Sequence, residues 1–317
     1  MKWKPGKRNP NLEDRRGQSP PSGGGGLGGG SASGFPIPLP GGKSGGGIGT
    51  IVIIIVLFLV IRGCGGGDGG GGSGFDIPGL PGDQSQVPAQ PETGGDSSLP
   101  EGADPEANQV EFVNFVLTDL DAFWTEQFQG TQNQLQTPGL VVFRQGVNTG
   151  CGQASSATGP FYCPLDQKAY VDLSFFSELS KRFGAPGDFA QAYVLAHEYG
   201  HHIQQQLGIE EKVRAESQNN PDEANELSVR LELQADCFAG LWGKSAFDAG
   251  ILEDGDLDEG ITAAEAVGDD RIQEQAGGRI NPESFTHGTS EQRSTWFRKG
   301  FDSGDIQQCD TFSGEDI

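Results

Sequence analysis

The feature that most constrains this chain is the run His197-Glu198-Tyr199-Gly200-His201-His202. It contains the pattern H-E-x-x-H, which works only on a helix. There the first and fifth residues stack one turn apart, and two imidazoles reach one metal ion. Glu198 then stands beside that metal, placed to take a proton from water. The chain has four histidines, and three fall in this hexapeptide. The flanks supply the helix. Ala185-Pro186-Gly187-Asp188 reads as a turn with an Asp cap. Phe189, Ala192, Ala196, Gly200, Ile203 and Leu207 follow at core-facing spacing, and Gly208 offers a stop. His202 faces another side of the helix and is left out of the metal shell.

A catalytic zinc needs a third protein ligand. The extension H-E-x-x-H-x-x-G-x-x-H fails here, with Gln204 at the glycine and Leu207 at the third histidine. A carboxylate on a second helix is the other solution. Asn220-Pro221-Asp222-Glu223 reads as a helix start, and Leu227, Leu231, Ala235, Phe238 and Trp242 form its apolar stripe. Glu232 and Asp236 border that stripe four residues apart and so face one neighbour. Spacing nominates Glu232 as the ligand. Asp236 is placed behind it, accepting a hydrogen bond from a ligating imidazole, His197. Glu210, Glu211, Glu216, Glu223 and Glu226 are competing helical carboxylates that spacing alone leaves in play.

Glu232-Leu233-Gln234-Ala235-Asp236 after the histidine motif resembles the gluzincin arrangement, where the Glu of E-x-x-x-D is the third ligand. More closely, the chain resembles the bacterial neutral zinc metallopeptidase family. The likeness is carried by Met1-Lys2-Trp3, by Asn11-Leu12-Glu13-Asp14-Arg15-Arg16-Gly17 and by Gly159-Pro160-Phe161-Tyr162-Cys163-Pro164. It continues through Leu231 to Trp242, Thr286-His287-Gly288, Gln292-Arg293, Trp296-Phe297, Gly300-Phe301 and Cys309-Asp310-Thr311-Phe312. It spans nearly the whole chain apart from low-complexity spacers. It implies an α+β, mainly helical zincin-like domain with a small sheet. It also implies one Zn²⁺ on His197, His201 and Glu232, and a protein or peptide substrate. Some gluzincins place a histidine on the oxyanion, which nominates His287 as a second catalytic group beside Glu198. Otherwise His287 caps the helix that starts near Thr289.

Charge divides the chain of 317 residues and net charge −23. Residues 1–62 carry eight Lys/Arg against two acids, and the acids lie overwhelmingly in the rest. An acidic body argues against a nucleic-acid partner, while a basic head suits anionic lipid. Between them Ile48–Ile61 is apolar and free of charge. Fourteen helical residues reach roughly 21 Å, and the flanking glycines bring the run to the lower limit of a membrane span. The organisation expected is a basic cytoplasmic segment (1–44), a transmembrane signal anchor (45–62), a disordered linker (63–107) and the metallopeptidase domain (108–317). The positive-inside tendency then leaves the amino terminus in the cytoplasm and exports the body, single-pass, from the cytoplasmic membrane. Cys64 follows the apolar run, but Arg62 is a poor neighbour for lipidation.

In the body, Val110 to Phe128 reads as an opening helix, and Gly139–Phe143 and Lys168–Leu173 as strands. By analogy with zincins, the second strand is the candidate to pair with extended substrate. An exported body sits in an oxidising compartment, so Cys151, Cys163, Cys237 and Cys309 suggest two disulfides. Cys151–Cys163 and Cys237–Cys309 are preferred among three arrangements. Asp254, Asp256, Asp258 and Glu265 fall in a calcium-loop register, but Glu259 occupies the position that needs Gly, so a charged turn before a helix fits better. The alternative to a peptidase is a non-enzymatic envelope protein with a structural zinc. The intact Glu198 argues against it, because a structural site needs no base.

Overall fold

The computed structural model describes residues 1–18, 104–131 and 134–314. The strands are β1 (Leu12–Asp14), β2 (Gly139–Phe143), β3 (Gly146–Thr149), β4 (Gly152–Ser155), β5 (Phe161–Cys163) and β6 (Lys168–Asp172). The helices are α1 (Ala107–Gln127), α2 (Ser174–Lys181), α3 (Asp188–Gln206), α4 (Ile209–Asn219), α5 (Ala224–Asp248), α6 (Asp256–Ala266), α7 (Asp269–Gln275) and α8 (Ser290–Ser303). The expected opening helix and both expected strands are present. The architecture is mixed α+β, mostly helical with a small sheet.

That sheet runs β1-β2-β6-β5, parallel except for β5. Both faces of β2 and β6 are covered, which is why Leu140–Phe143 and Ala169–Val171 are apolar on both faces. Leu140, Val142, Ala169 and Val171 turn toward the helices, joining Trp124, Phe189, Phe238 and Trp242. Val141, Phe143 and Tyr170 turn the other way, onto Val147 of the β3–β4 hairpin and Phe161. The strand expected to meet substrate, Lys168–Leu173, therefore lies inside the sheet as β6. Its ladder is already filled by β2 and β5, and the edges are β1 and β5.

Residues 1–18 correct the boundaries read from composition. They belong to the body rather than to a separate cytoplasmic segment ending at 44. β1 pairs in parallel with β2, Leu12 opposite Leu140. Trp3 packs on Phe112 with ring centroids 5.4 Å apart. Arg16 pairs with Asp104 at 2.6 Å and Glu106 at 3.1 Å, which ties down the end of the expected linker. The Met1 ammonium lies 2.9 Å from Asp188, the first residue of α3, and 3.1 Å from Asp256. No helix among the described residues is long and apolar enough to cross a membrane. The expected anchor at 45–62 and Cys64 lie outside the described residues.

Glycines set how closely the helices approach. A Cβ on Gly240 of α5 would stand 2.0 Å from the Phe297 carbonyl of α8, and one on Gly300 equally close to that of Cys237. Gly200, inside the histidine motif, lets α3 lie against α5: its Cβ would meet Ala235 Cα at 3.1 Å. That approach brings the histidines of α3 beside the carboxylates of α5. The cysteines pair as preferred, Cys151 with Cys163 (Cα–Cα 5.8 Å) and Cys237 with Cys309 (5.5 Å). Asp256–Ala266 is helical, so the calcium-loop register is not formed.

His202 is fully buried. Its Nδ1 lies 2.9 Å from the Tyr162 hydroxyl, and its Nε2 meets the Gln136 carbonyl, so it joins α3 to β5. Burial pushes it down to about 4, although the Gln136 contact favours the charged form. An unfolded chain protonates histidine near pH 6.5. The unfolded state therefore holds more protons between pH 6.5 and 4, and stability falls with acid across that window. At about 1.4 kcal/mol per unit, His202 alone should cost about 2–3 kcal/mol between pH 7 and 4.5. Urea unfolding at the two pH values, compared with His202→Gln, should show the variant losing that part of the acid slope.

Candidate metal centre

α3 presents His197 and His201 one turn apart, and α5 presents Glu232 across the Gly200–Ala235 contact. His197 Nε2 lies 3.2 Å from Glu232 Oε2, and His201 Nε2 lies 3.6 Å from Glu232 Oε1. One ligand atom from each of the three lies within 4.8 Å of the others, so together they can hold a metal ion. The structure brings together every residue nominated from the sequence for the metal shell. The competing acids Glu210, Glu211, Glu216, Glu223 and Glu226 do not join this cluster.

The residues behind the ligands fix which imidazole nitrogens face the site. His197 Nδ1 is 2.9 Å from Asp236 Oδ1, and His201 Nδ1 is 2.9 Å from the Gln204 amide oxygen. Gln204 is held in turn, its amide donating to the Leu231 carbonyl at 2.7 Å. Both Nε2 atoms are thus left for a metal. Asp236 is fully buried. Arg293 of α8 donates to both of its oxygens, at 2.8 and 2.9 Å, and the Tyr193 hydroxyl donates to Oδ1 at 2.5 Å.

The electrostatics suit a cation. Burial alone would raise Glu232, but the charges of His287 and His197 and its hydrogen bond with His197 hold it well below the carboxylate range, so it is ionised. Burial pushes His201 down to about 4, leaving a neutral imidazole with a free lone pair. His197 is raised: the charge of Asp236 and bonds to Asp236 and Glu232 outweigh burial. A metal between His197 Nε2 and Glu232 would displace the proton of a charged His197, so metal binding and proton release are coupled. The donor set of two imidazoles and one carboxylate fits zinc.

Glu198 is buried beside these ligands, and its carboxylate has no hydrogen bond or ion pair among the described residues. Burial raises it to about 7, and the Glu232 charge adds to the shift. His287 is buried at the same cleft. Asp269 Oδ2 accepts the backbone N–H groups of Thr286, His287 and Gly288, while its Oδ1 lies 3.1 Å from His287 Nδ1. Burial lowers His287, yet the charges of Glu232 and Asp269 raise it overall. It does not cap α8. Thr289 does, in a capping box with Gln292.

A cleft of about 950 Å³ opens over the centre. His197, Glu198, His201, Glu232 and His287 line it, and β5 contributes Phe161 and Tyr162. Sequence reasoning assigned no role to Tyr193, Gln204, Asp269 or Arg293. Tyr193 was findable, four residues before His197 on the same helical face. Arg293 carries no local signal, only the need of buried Asp236 for a counter-charge.

Relatives match over about two thirds of the chain. It is 53% identical over 208 residues to the uncharacterized protein YpfJ of Escherichia coli (strain K12), covering 65% of this chain and 72% of that one. It is 44% identical over 229 residues to the uncharacterized protein Rv2575 of Mycobacterium tuberculosis (strain ATCC 25618 / H37Rv), covering 68% and 75%. No solved structure gives a significant match. The match to the family described as "Putative neutral zinc metallopeptidase" extends over residues 1–312, and the chain belongs to that family.

Proposed function

We propose that the protein is a zinc-dependent peptidase that hydrolyses peptide bonds with Glu198 as general base. The observation that carries this is an unpaired, buried Glu198 beside a three-donor metal cluster at the floor of an open cleft. His197, His201 and Glu232 would hold the ion. When bound, zinc would supply Lewis acidity toward water and the scissile carbonyl. Glu198 takes the proton from water and later passes it to the departing amine. His287, kept cationic by Asp269 and Glu232, donates to the oxygen on which charge develops. Asp236, clamped by Arg293 and Tyr193, keeps the His197 ring in place. β5 is the sheet edge that lines the cleft, and an extended substrate can add to it as a further strand. A purely structural metal would need neither the base nor the cleft.

The two disulfides suit an oxidising compartment. Because β1 shares the body's sheet, we place residues 1–18 and the body on one side of any membrane. This revises the arrangement with the amino terminus inside and the body outside. The apolar run Ile48–Ile61 remains the candidate for membrane attachment. The test is hydrolysis of unstructured peptides by the purified full chain. Removing metal with a chelator should abolish cleavage, and stoichiometric zinc should restore it. Cleavage that survives complete metal removal would overturn the reading.

A further inference from the structure

The cleft has chemically unlike ends. α3 lines it with Val194, His197, His201 and Gln205, a stretch of about 16 Å along the helix axis. Before α3 the walls are apolar. Phe175 and Phe183 pack at 6.3 Å between ring centroids. Ile272 joins them, and its neighbour Arg271 donates to the Phe183 carbonyl. Beyond α3 the chain turns at Gly208 into α4, and Glu210, in the first turn of α4, faces the cleft.

Glu210 is a carboxylate without a partner. Among the described residues its side chain has no hydrogen bond and no ion pair. Arg214, one turn on, is exposed and also lines the cleft, but it makes no ion pair with Glu210. Of the other carboxylates at the centre, Glu232 engages the histidines and Asp236 engages Arg293, while Glu198 is the base of the mechanism above. A half-buried acid without an ion pair can take one from a ligand in the cleft. Burial pushes Glu210 up to about 8, Arg214 opposing the shift and Glu232 adding to it. The mechanism above does not use this residue.

We infer that Glu210 binds a cationic group of the substrate, so that the cleft takes peptides with an ammonium or guanidinium toward α4 and an apolar residue toward Phe175 and Phe183. This inference rests on the peptidase reading of the centre. The cation has two sources, a Lys or Arg side chain or a free peptide amino terminus, and one carboxylate serves either. The first source makes an endopeptidase with a basic subsite, the second an enzyme that counts residues from the substrate's amino end.

The test uses the full chain loaded with zinc and three peptides of one sequence: acetylated with a single lysine, acetylated with norleucine in its place, and the norleucine peptide with a free amino terminus. Binding is read by fluorescence anisotropy and cleavage by chromatography. The lysine or free-amine peptide should bind at least about tenfold tighter than the acetylated norleucine peptide, the size of one partly desolvated ion pair. Glu210→Gln should shrink that ratio to within about twofold. Lysine preference marks the side-chain source, and free-amine preference the terminal one. Equal binding of all three peptides to the wild type, or a preference that survives Glu210→Gln, overturns the inference. Binding without any cleavage overturns the peptidase reading instead, and the binding ratio still decides the role of Glu210.

Discussion

Glu198→Gln should keep a full complement of zinc and lose peptide hydrolysis by about 10²–10⁴-fold, the range expected for a general base. The substitution changes one atom and almost no volume. Glu198 is outside the three-donor cluster, so the metal has no reason to leave. What disappears is the ability to accept a proton. The burial that raises Glu198 to about 7 also brings its basicity near that useful at neutral pH. Metal content by mass spectrometry and kcat on the same preparation separate the two effects. A variant that cleaves as fast as wild type would show that another group is the base. A variant that loses zinc would show that Glu198 is a ligand.

Glu232→Ala should do the reverse and empty the site. It removes the only carboxylate among the three donors and leaves two imidazoles, too few for a stable zinc centre. It also removes the charge that faces His197, His201, His287 and Arg293. The loss in metal affinity should exceed the roughly 10–100-fold typical of residues that only orient ligands. Equilibrium dialysis against buffered zinc measures it directly. Full retention of metal would overturn the ligand assignment. A thermal melt shows whether the variant remains folded, because it leaves Asp236 and its Arg293 clamp in place.

The legible part of the centre was the part written in local spacing. His197, Glu198 and His201 need only one helix, and the stripe from Phe189 to Ile203 announces it. Glu232 and Asp236 are legible as a pair on a second helix. Choosing Glu232 over other acids took the family resemblance, because helix-to-helix approach is not periodic. The Arg293 clamp depends on α8 reaching Asp236 across 57 residues of chain. The sheet was harder to read. β2 and β6 are covered on both faces and stand out as apolar runs. The edge strand β5 is only three residues, Phe161–Cys163, too short for a pattern, so its neighbour was taken for the edge. β1 lies in a basic, polar stretch, and nothing in Leu12-Glu13-Asp14 reveals that its partner is Leu140-Val141-Val142.

That β1 pairing also sets the order of assembly. Residues 12–14 are synthesised long before residues 140–142, and their ladder closes a loop of more than a hundred residues. Closing so long a loop is entropically dear and rewarded by only three residue pairs, so it belongs late in folding. The helices and the β2–β6–β5 ladder rest on nearer neighbours and can form first. Until β1 arrives, β2 offers an open edge that any extended chain can occupy. The first-made strand is thus the last fitted, and it closes the side of the sheet opposite the cleft.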